Sequence, residues 1–318
     1  MKIIELLESR KETLISYEII PPRRGSSVGE IFAIMDELQP FDPPFVDVTS
    51  HSAQVYYEEM PDGSWQRRVK RKRPGTLGLC AAVKGRYGVE TVPHILCEGF
   101  TREETEDALI ELHYLGIQNV MALRGDEGEY SKPIPPTRTR NRYAGDLVAQ
   151  ITAMNNGHYL EQLIDASETD FCIGVAGYPE KHFQAPNITW DILNLKKKVD
   201  AGAHYVTTQM FFDNAHYYSF VERCREVGIV VPIVPGLKVL TSKQQLKSLP
   251  MRFYVDIPEA LAAEVEAADD KHVAEVGIEW ATKQAMDLID GGAPCLHFYI
   301  MATAGHVARV VERLRKYA

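Results

Sequence analysis

Short apolar runs rich in Val and Ile recur along the chain, and most stop on polar or charged residues just before a loop. Ile15-Ser16-Tyr17-Glu18 is one and Val46-Asp47-Val48-Thr49 another. Val92-Pro93-His94, Val120-Met121-Ala122-Leu123-Arg124-Gly125-Asp126, Gly174-Val175-Ala176-Gly177-Tyr178 and Val206-Thr207-Thr208-Gln209 repeat the pattern. Eight strands are predicted, at about 14–20, 45–50, 91–96, 119–124, 171–177, 204–210, 231–237 and 295–300. Helical periodicity fills most of the gaps. Ser26 to Leu38 places Val28, Ile31, Phe32, Met35 and Leu38 on one face. Thr101-Arg102-Glu103-Glu104 has the Thr-x-x-Glu form of a capping box. It opens a helix to about Leu115, and Gly116 stands where a C′ glycine belongs. Ile188 to Ala201 ends at Gly202, and Phe220 to Val227 at Gly228.

Strand, loop, helix and Gly in repeated order are the mark of βα units, hence of a parallel sheet. A (β/α)8 TIM barrel takes roughly 250 residues, and its functional groups gather at the C-terminal strand ends. The predicted fold is therefore α/β, a (β/α)8 TIM barrel forming a single catalytic domain over 1–318, with an insertion between strands 2 and 3. The polar strand endings then line one site. The insertion, 54–88, holds eight Lys/Arg against three acids, and Asp62-Gly63 predicts a hairpin turn within it. Residues 127–142 form a long Pro-rich loop after Asp126, a length often found in functional lids.

Composition narrows the class. The 318 residues are 45% hydrophobic, enough for a substantial core. A net charge of -9 argues against general affinity for nucleic acid. No run approaches the ~20 apolar residues of a membrane helix. The N-terminus lacks the apolar core of a signal peptide, so a cytoplasmic location is expected. The five scattered cysteines predict no disulfide framework and a reducing compartment.

G-x-G-x-x-G and G-x-x-x-x-G-K-[ST] are both missing, and no closely spaced His/Cys set reads as a metal site. Glu18 lies in an apolar run, where burial raises a carboxyl pKa and suits it to general acid work; the plainer reading is a salt bridge to Arg23 or Arg24. Arg124-Gly125-Asp126 ends the fourth strand, where Gly permits close backbone approach to a ligand; an Arg–Asp structural pair is the alternative. Gln209 carries an amide suited to a heterocycle edge. Tyr178 and His182 flank a stiff Gly-Pro turn and are placed to stack or hydrogen-bond. Asp191, Asn194 and Lys198, at i, i+3 and i+7, share one helix face, which alone reads as a polar outer stripe. The run Arg67-Arg68-Val69-Lys70-Arg71-Lys72-Arg73 reads first as a solvated loop or hairpin, and second as a contact for an anionic substrate tail.

Together these segments resemble the methylenetetrahydrofolate reductases, flavoproteins that make methyltetrahydrofolate. The resemblance runs from Ser16-Tyr17-Glu18-Ile19-Ile20-Pro21-Pro22-Arg23 to His297-Phe298-Tyr299. Between them come Ala122-Leu123-Arg124-Gly125-Asp126, Ala176-Gly177-Tyr178-Pro179-Glu180-Lys181-His182, Leu195-Lys196-Lys197-Lys198 and Thr208-Gln209-Met210-Phe211-Phe212-Asp213, in the family's order. It implies a catalytic barrel without the regulatory domain of eukaryotic members, so inhibition by S-adenosylmethionine is not implied. Also implied are FAD at the strand ends, NADH or NADPH as hydride donor in a ping-pong reaction, a folate substrate, a place in one-carbon and methionine metabolism, and a homo-oligomer. By the same resemblance Glu18 matches the general acid, Asp126 the catalytic carboxylate by flavin and pterin, and Gln209 the amide that holds the folate. FAD contacts fall to Thr49, His94, Arg124, Gly125, Asp126, Ala144, Tyr178, His182, Asp191, Asn194, Lys197 and Lys198.

The chain departs from the family pattern at Ser50-His51-Ser52, at Thr241-Ser242-Lys243, where an aromatic is missing, and at Ile300-Met301-Ala302-Thr303, where an Arg that meets folate is missing. The basic run 67–73 is a candidate replacement for that charge. Two other readings stay open: a Schiff-base lyase or aldolase using Lys238, and a folate-binding barrel lacking FAD.

Overall fold

The computed structural model describes residues 1–126, 132–300 and 303–317. The first part of the Pro-rich loop (127–131), and positions 301 and 302 of the last strand's departure, lie outside the described residues. Eight parallel strands close into a (β/α)8 TIM barrel. They are β1 (Leu14–Ile19), β2 (Phe45–Val48), β5 (Glu90–Leu96), β6 (Asn119–Leu123), β7 (Cys172–Gly177), β8 (Tyr205–Met210), β9 (Ile233–Leu237) and β10 (Cys295–Tyr299). Their order around the barrel is β1-β10-β9-β8-β7-β6-β5-β2. Each predicted strand lies on one of them.

Alternation along these strands sorts the side chains into two cores. Tyr17, Ile19, Val46, Val48, Val120, Val175, Val206 and Phe298 point outward into the layer beneath the helices. Inside, Phe45, Val92, Met121, Cys172, Tyr205, Val234 and Cys295 form an apolar floor. It rests on Ile3 and Leu7 of a short helix, α1 (Ile3–Ser9), that plugs the barrel's N-terminal end. Gly174 makes room in this floor: a Cβ there would stand 2.5 Å from the Tyr205 ring.

The residues of 54–88 divide in two. β3 (Gln54–Glu59) and β4 (Trp65–Lys70) form a separate antiparallel sheet. Its turn carries Asp62-Gly63, with Gly63 at φ 79° and Asp62 Oδ1 accepting from the Ser64 N–H at 2.9 Å. Thr76–Tyr87 is helix α3, the ordinary connection into β5. Elsewhere α2 is Gly29–Leu38, three residues shorter at its start than the periodicity predicts; Ser27 Oγ accepts from the Gly29 N–H at 3.0 Å and marks its start. Helix α4 (Arg102–Tyr114) has the predicted capping box: Thr101 Oγ1 accepts from the Glu104 N–H at 3.2 Å, and Glu104 Oε2 accepts from the Thr101 N–H at 2.9 Å. Helix α5 is Ala144–Asn155 and α6 is Ile188–Asp200. Helix α7 (Asn214–Glu226) begins six residues before the predicted Phe220, since Asp213 caps it through the Ala215 N–H. No described helix is long and apolar enough to cross a membrane.

Candidate active site

Above the floor the barrel interior turns polar. Ser16 Oγ lies 2.9 Å from His297 Nδ1, and Asp47 Oδ2 3.3 Å from His94 Nε2. One layer higher, Glu18 Oε2 is 3.5 Å from the same His94 Nε2. One imidazole nitrogen thus faces two carboxylates. Asp47 is 1% exposed and Glu18 18%. Burial pushes the Glu18 carboxyl up to about 7; His94 and Lys238 oppose the rise and Asp47 adds to it. Burial pulls His94 down, but the hydrogen bond it donates to Asp47 and the charges of Glu18 and Asp47 outweigh it, and the net shift is upward.

Lys238, just past β9, completes the group. Its Nζ donates to the Tyr299 carbonyl at 2.8 Å. Burial lowers it to about 8, with Glu18 opposing, so it is mostly a cation at neutral pH. Glu18 therefore does not pair with Arg23 or Arg24. Its partner is His94, from a strand distant in sequence, and the charge of Lys238 also reaches it.

β8 is irregular at its upper end, where the pairing with β9 shifts between Thr207 and Met210. Bulges next to sites re-aim side chains, and here Gln209 sits on the shifted segment. Its Oε1 accepts from the Met210 N–H at 2.9 Å, leaving the amide NH₂ as the donor it can offer. Gly236 allows the bulge: a Cβ would stand 2.2 Å from the Thr208 carbonyl oxygen.

A second neighbourhood spans the ends of β6 and β7. Gly125 adopts φ 87°, a conformation that strains any side chain. Arg124 contacts Gln184 and lies 5.5 Å over the Tyr143 ring. Tyr178 meets His182 edge-on at 4.7 Å, and burial pushes its hydroxyl well above the usual range. Asp191 Oδ2 accepts from the His182 N–H at 2.8 Å. Lys198 Nζ donates to the Ala176 carbonyl, and burial lowers it to about 8 against the pull of Asp191. A Cβ on Gly145 would meet Lys198 Cγ at 3.9 Å, so the α5 N-terminus at Ala144 stands beside that lysine. Asn194 and Lys197 are exposed and bonded to each other at 3.2 Å. Thr49 Oγ1 lies 3.2 Å from His51 Nε2. Asp126 is exposed on the loop past β6, its charge felt at His51 and Tyr178.

Asp47, His297 and the row Phe183–Tyr254, stacked at 4.6 Å, were not singled out as functional from the sequence. For Asp47 a signal existed, an acid at an inward position between Val46 and Val48. Among the described residues, His297 Nε2, Asp47 Oδ1 and Tyr205 Oη are buried without hydrogen-bond partners.

Comparison with known proteins now decides the family. The methylenetetrahydrofolate reductase family model matches residues 2–315. The chain belongs to the methylenetetrahydrofolate reductase family. The Escherichia coli 5,10-methylenetetrahydrofolate reductase is 30% identical over 302 residues, covering 94% of this chain and 90% of its own. A Caenorhabditis elegans protein named probable methylenetetrahydrofolate reductase (NADPH) is 30% identical over 318 residues, covering 98% of this chain and 43% of its own. An Arabidopsis thaliana methylenetetrahydrofolate reductase (NADH) is 31% identical, covering 95% and 48%. The chain thus spans about half the length of these eukaryotic family members. An uncharacterized Clostridium thermocellum protein, solved with two copies of 5-methyl-5,6,7,8-tetrahydrofolic acid, shares the fold at 11% identity, with a TM-score of 0.61 and 99% of both chains covered.

Proposed function

We propose that this protein reduces 5,10-methylenetetrahydrofolate to 5-methyltetrahydrofolate with hydride from NADH or NADPH. The observation that carries the reading is Glu18, a carboxyl poised near 7 inside the barrel mouth of a chain from this family. A group that titrates there holds a proton at neutral pH and gives it up readily. Protonation of the bridging nitrogen opens the five-membered ring to an iminium cation. The carboxylate left behind faces His94 at 3.5 Å and feels the charge of Lys238, both of which stabilise it. Gln209 offers its NH₂ to the pterin edge. Asp126 anchors the pterin and steadies the cation by its charge.

The donor set at the ends of β6 and β7 suits FAD. Lys198, Arg124, His182 and Lys197, beside the α5 N-terminus at Ala144, combine cations and backbone N–H groups fit for a diphosphate. Gly125 leaves its backbone open to close approach, and Thr49, His94, Tyr178, Asp191 and Asn194 complete the assignment. When bound, FAD would relay hydride from the nicotinamide to the folate in two half-reactions, so the two substrates need not occupy the site together.

Anaerobic mixing tests the reading. The FAD-loaded protein should bleach with NADH or NADPH and regain colour with methylenetetrahydrofolate. Glu18→Gln should cripple the second half-reaction and spare the first. Equal loss in both would remove Glu18 from the acid role, and a colourless protein that still binds folate would favour a binding barrel.

A further inference from the structure

The basic run does not act as one patch. Arg68 is paired to Glu58, and Lys70 lies 3.8 Å over the Tyr56 ring, both on the hairpin itself. Arg71, Lys72 and Arg73 instead form its foot, and the foot is fastened to the barrel rim. Arg73 Nη1 donates to the Pro21 carbonyl, three residues past Glu18. The Arg24 N–H donates to the Lys72 carbonyl at 2.7 Å, and Arg24 Nε to the Arg71 carbonyl at 3.1 Å. The Arg71 guanidinium stands 4.5 Å over the Phe100 ring, on the loop past β5.

These contacts hold the cations without neutralising them. Among the described residues none of Arg24, Arg71, Lys72 and Arg73 has a carboxylate within 4 Å. Arg71 is lowered from its usual value by burial; Glu104 opposes that shift and the like charge of Arg24 adds to it. Glu104 is itself engaged by Lys132 and by the Thr101 N–H. Four cations thus share one rim in a chain of net charge -9, an arrangement that repels itself until an anion arrives. The rim is the right one. Pro21 and Arg24 follow β1, the foot follows β2, and Phe100 follows β5, the three adjacent strands that carry Glu18, Asp47 and His94. Arg73 and Asp126 both act on His51, which ties the foot to the site.

We propose that Arg24, Arg71, Lys72 and Arg73 form a subsite for the anionic tail of the ligand whose ring lies over Glu18. The tail is either the glutamyl carboxylates of the folate or the phosphates of the nicotinamide donor. The subsite rests on the functional reading for its substrates, but its charge can be probed without turnover. Calorimetric titration at low ionic strength with tri-γ-glutamate, and separately with 2′,5′-ADP, should show binding to the FAD-loaded protein. That binding should be lost in Arg71→Gln/Lys72→Gln/Arg73→Gln and kept in Arg71→Lys/Arg73→Lys, which preserves charge if the Gln variant proves unstable. In steady state the Gln variant should raise KM about tenfold or more for the ligand whose tail is held, with the loss carried by KM rather than kcat and shrinking at high salt. A rise for methylenetetrahydrofolate triglutamate assigns the site to the folate; a rise for NADPH over NADH assigns it to the donor. Binding of neither probe by the parent protein, or equal binding by parent and Gln variant, overturns the proposal. A parent protein that binds a probe but reduces no folate would overturn the functional reading and leave the subsite standing.

Discussion

Glu18→Gln should make this protein more stable at high pH and not at low pH. A carboxyl raised from 4.5 to about 7 favours its neutral form in the folded chain. The stability it contributes is present in full below about pH 4.5 and is lost as pH rises through about 7. One pKa unit corresponds to about 1.4 kcal/mol, so ionising Glu18 costs about 3 kcal/mol more in the folded chain than in the unfolded one. Between pH 5 and pH 8 the lost part is about 2.5 kcal/mol, trimmed toward about 2 by the residue's partial exposure. Gln keeps the shape and never ionises, so it escapes the loss. Scanning calorimetry of parent and variant across this range should show their difference in Tm growing in the variant's favour by roughly 3 °C, taking about 2 cal/mol/K of unfolding entropy per residue. A difference that stays constant with pH would refute the claim that Glu18 sits in a site that penalises its charge. The claim that it is poised to carry a proton would go with it.

Three further outcomes follow from the same geometry. Asp47→Asn removes a negative charge that raises both Glu18 and His94, so the pH at which folate reduction falls should move lower; an unchanged pH–rate profile would confine Asp47 to packing. Lys198→Met removes a cation that burial disfavours, so the apo protein should melt higher at pH 7 while FAD binds at least tenfold more weakly in equilibrium dialysis. Unchanged FAD affinity would take Lys198 out of the diphosphate site. Thr101→Ala breaks the capping box of α4 and should cost about 1 kcal/mol in urea unfolding, without changing the pH profile.

The eight strands, and with them the barrel, were legible because buried parallel strands write themselves as apolar runs. The Glu18 position was legible for a related reason: an acid is costly in such a run unless it has work or a partner. Its partner was not legible. Arg23 and Arg24 are nearest in sequence, but β1 lies beside β2, and β2 beside β5, only in the closed barrel. Only there do Asp47 and His94 reach Glu18. The start of α7 was misread for a local reason, since Asp213 caps a first turn whose apolar face is weak.

The sequence by itself determined the alternation of strands and helices, the strand ends on which polar groups stand, and the acids Glu18 and Asp47 set in apolar runs. These are local properties, carried by periodicity and by the cost of burying charge. Tertiary structure alone decided which of those groups share a proton, since pKa values depend on distances between strands far apart in the chain. It also divided the basic run 67–73, leaving two arginines and a lysine on an exposed hairpin and fastening its foot, Arg71 to Arg73, to the segment past β1 through Pro21 and Arg24 and to Phe100.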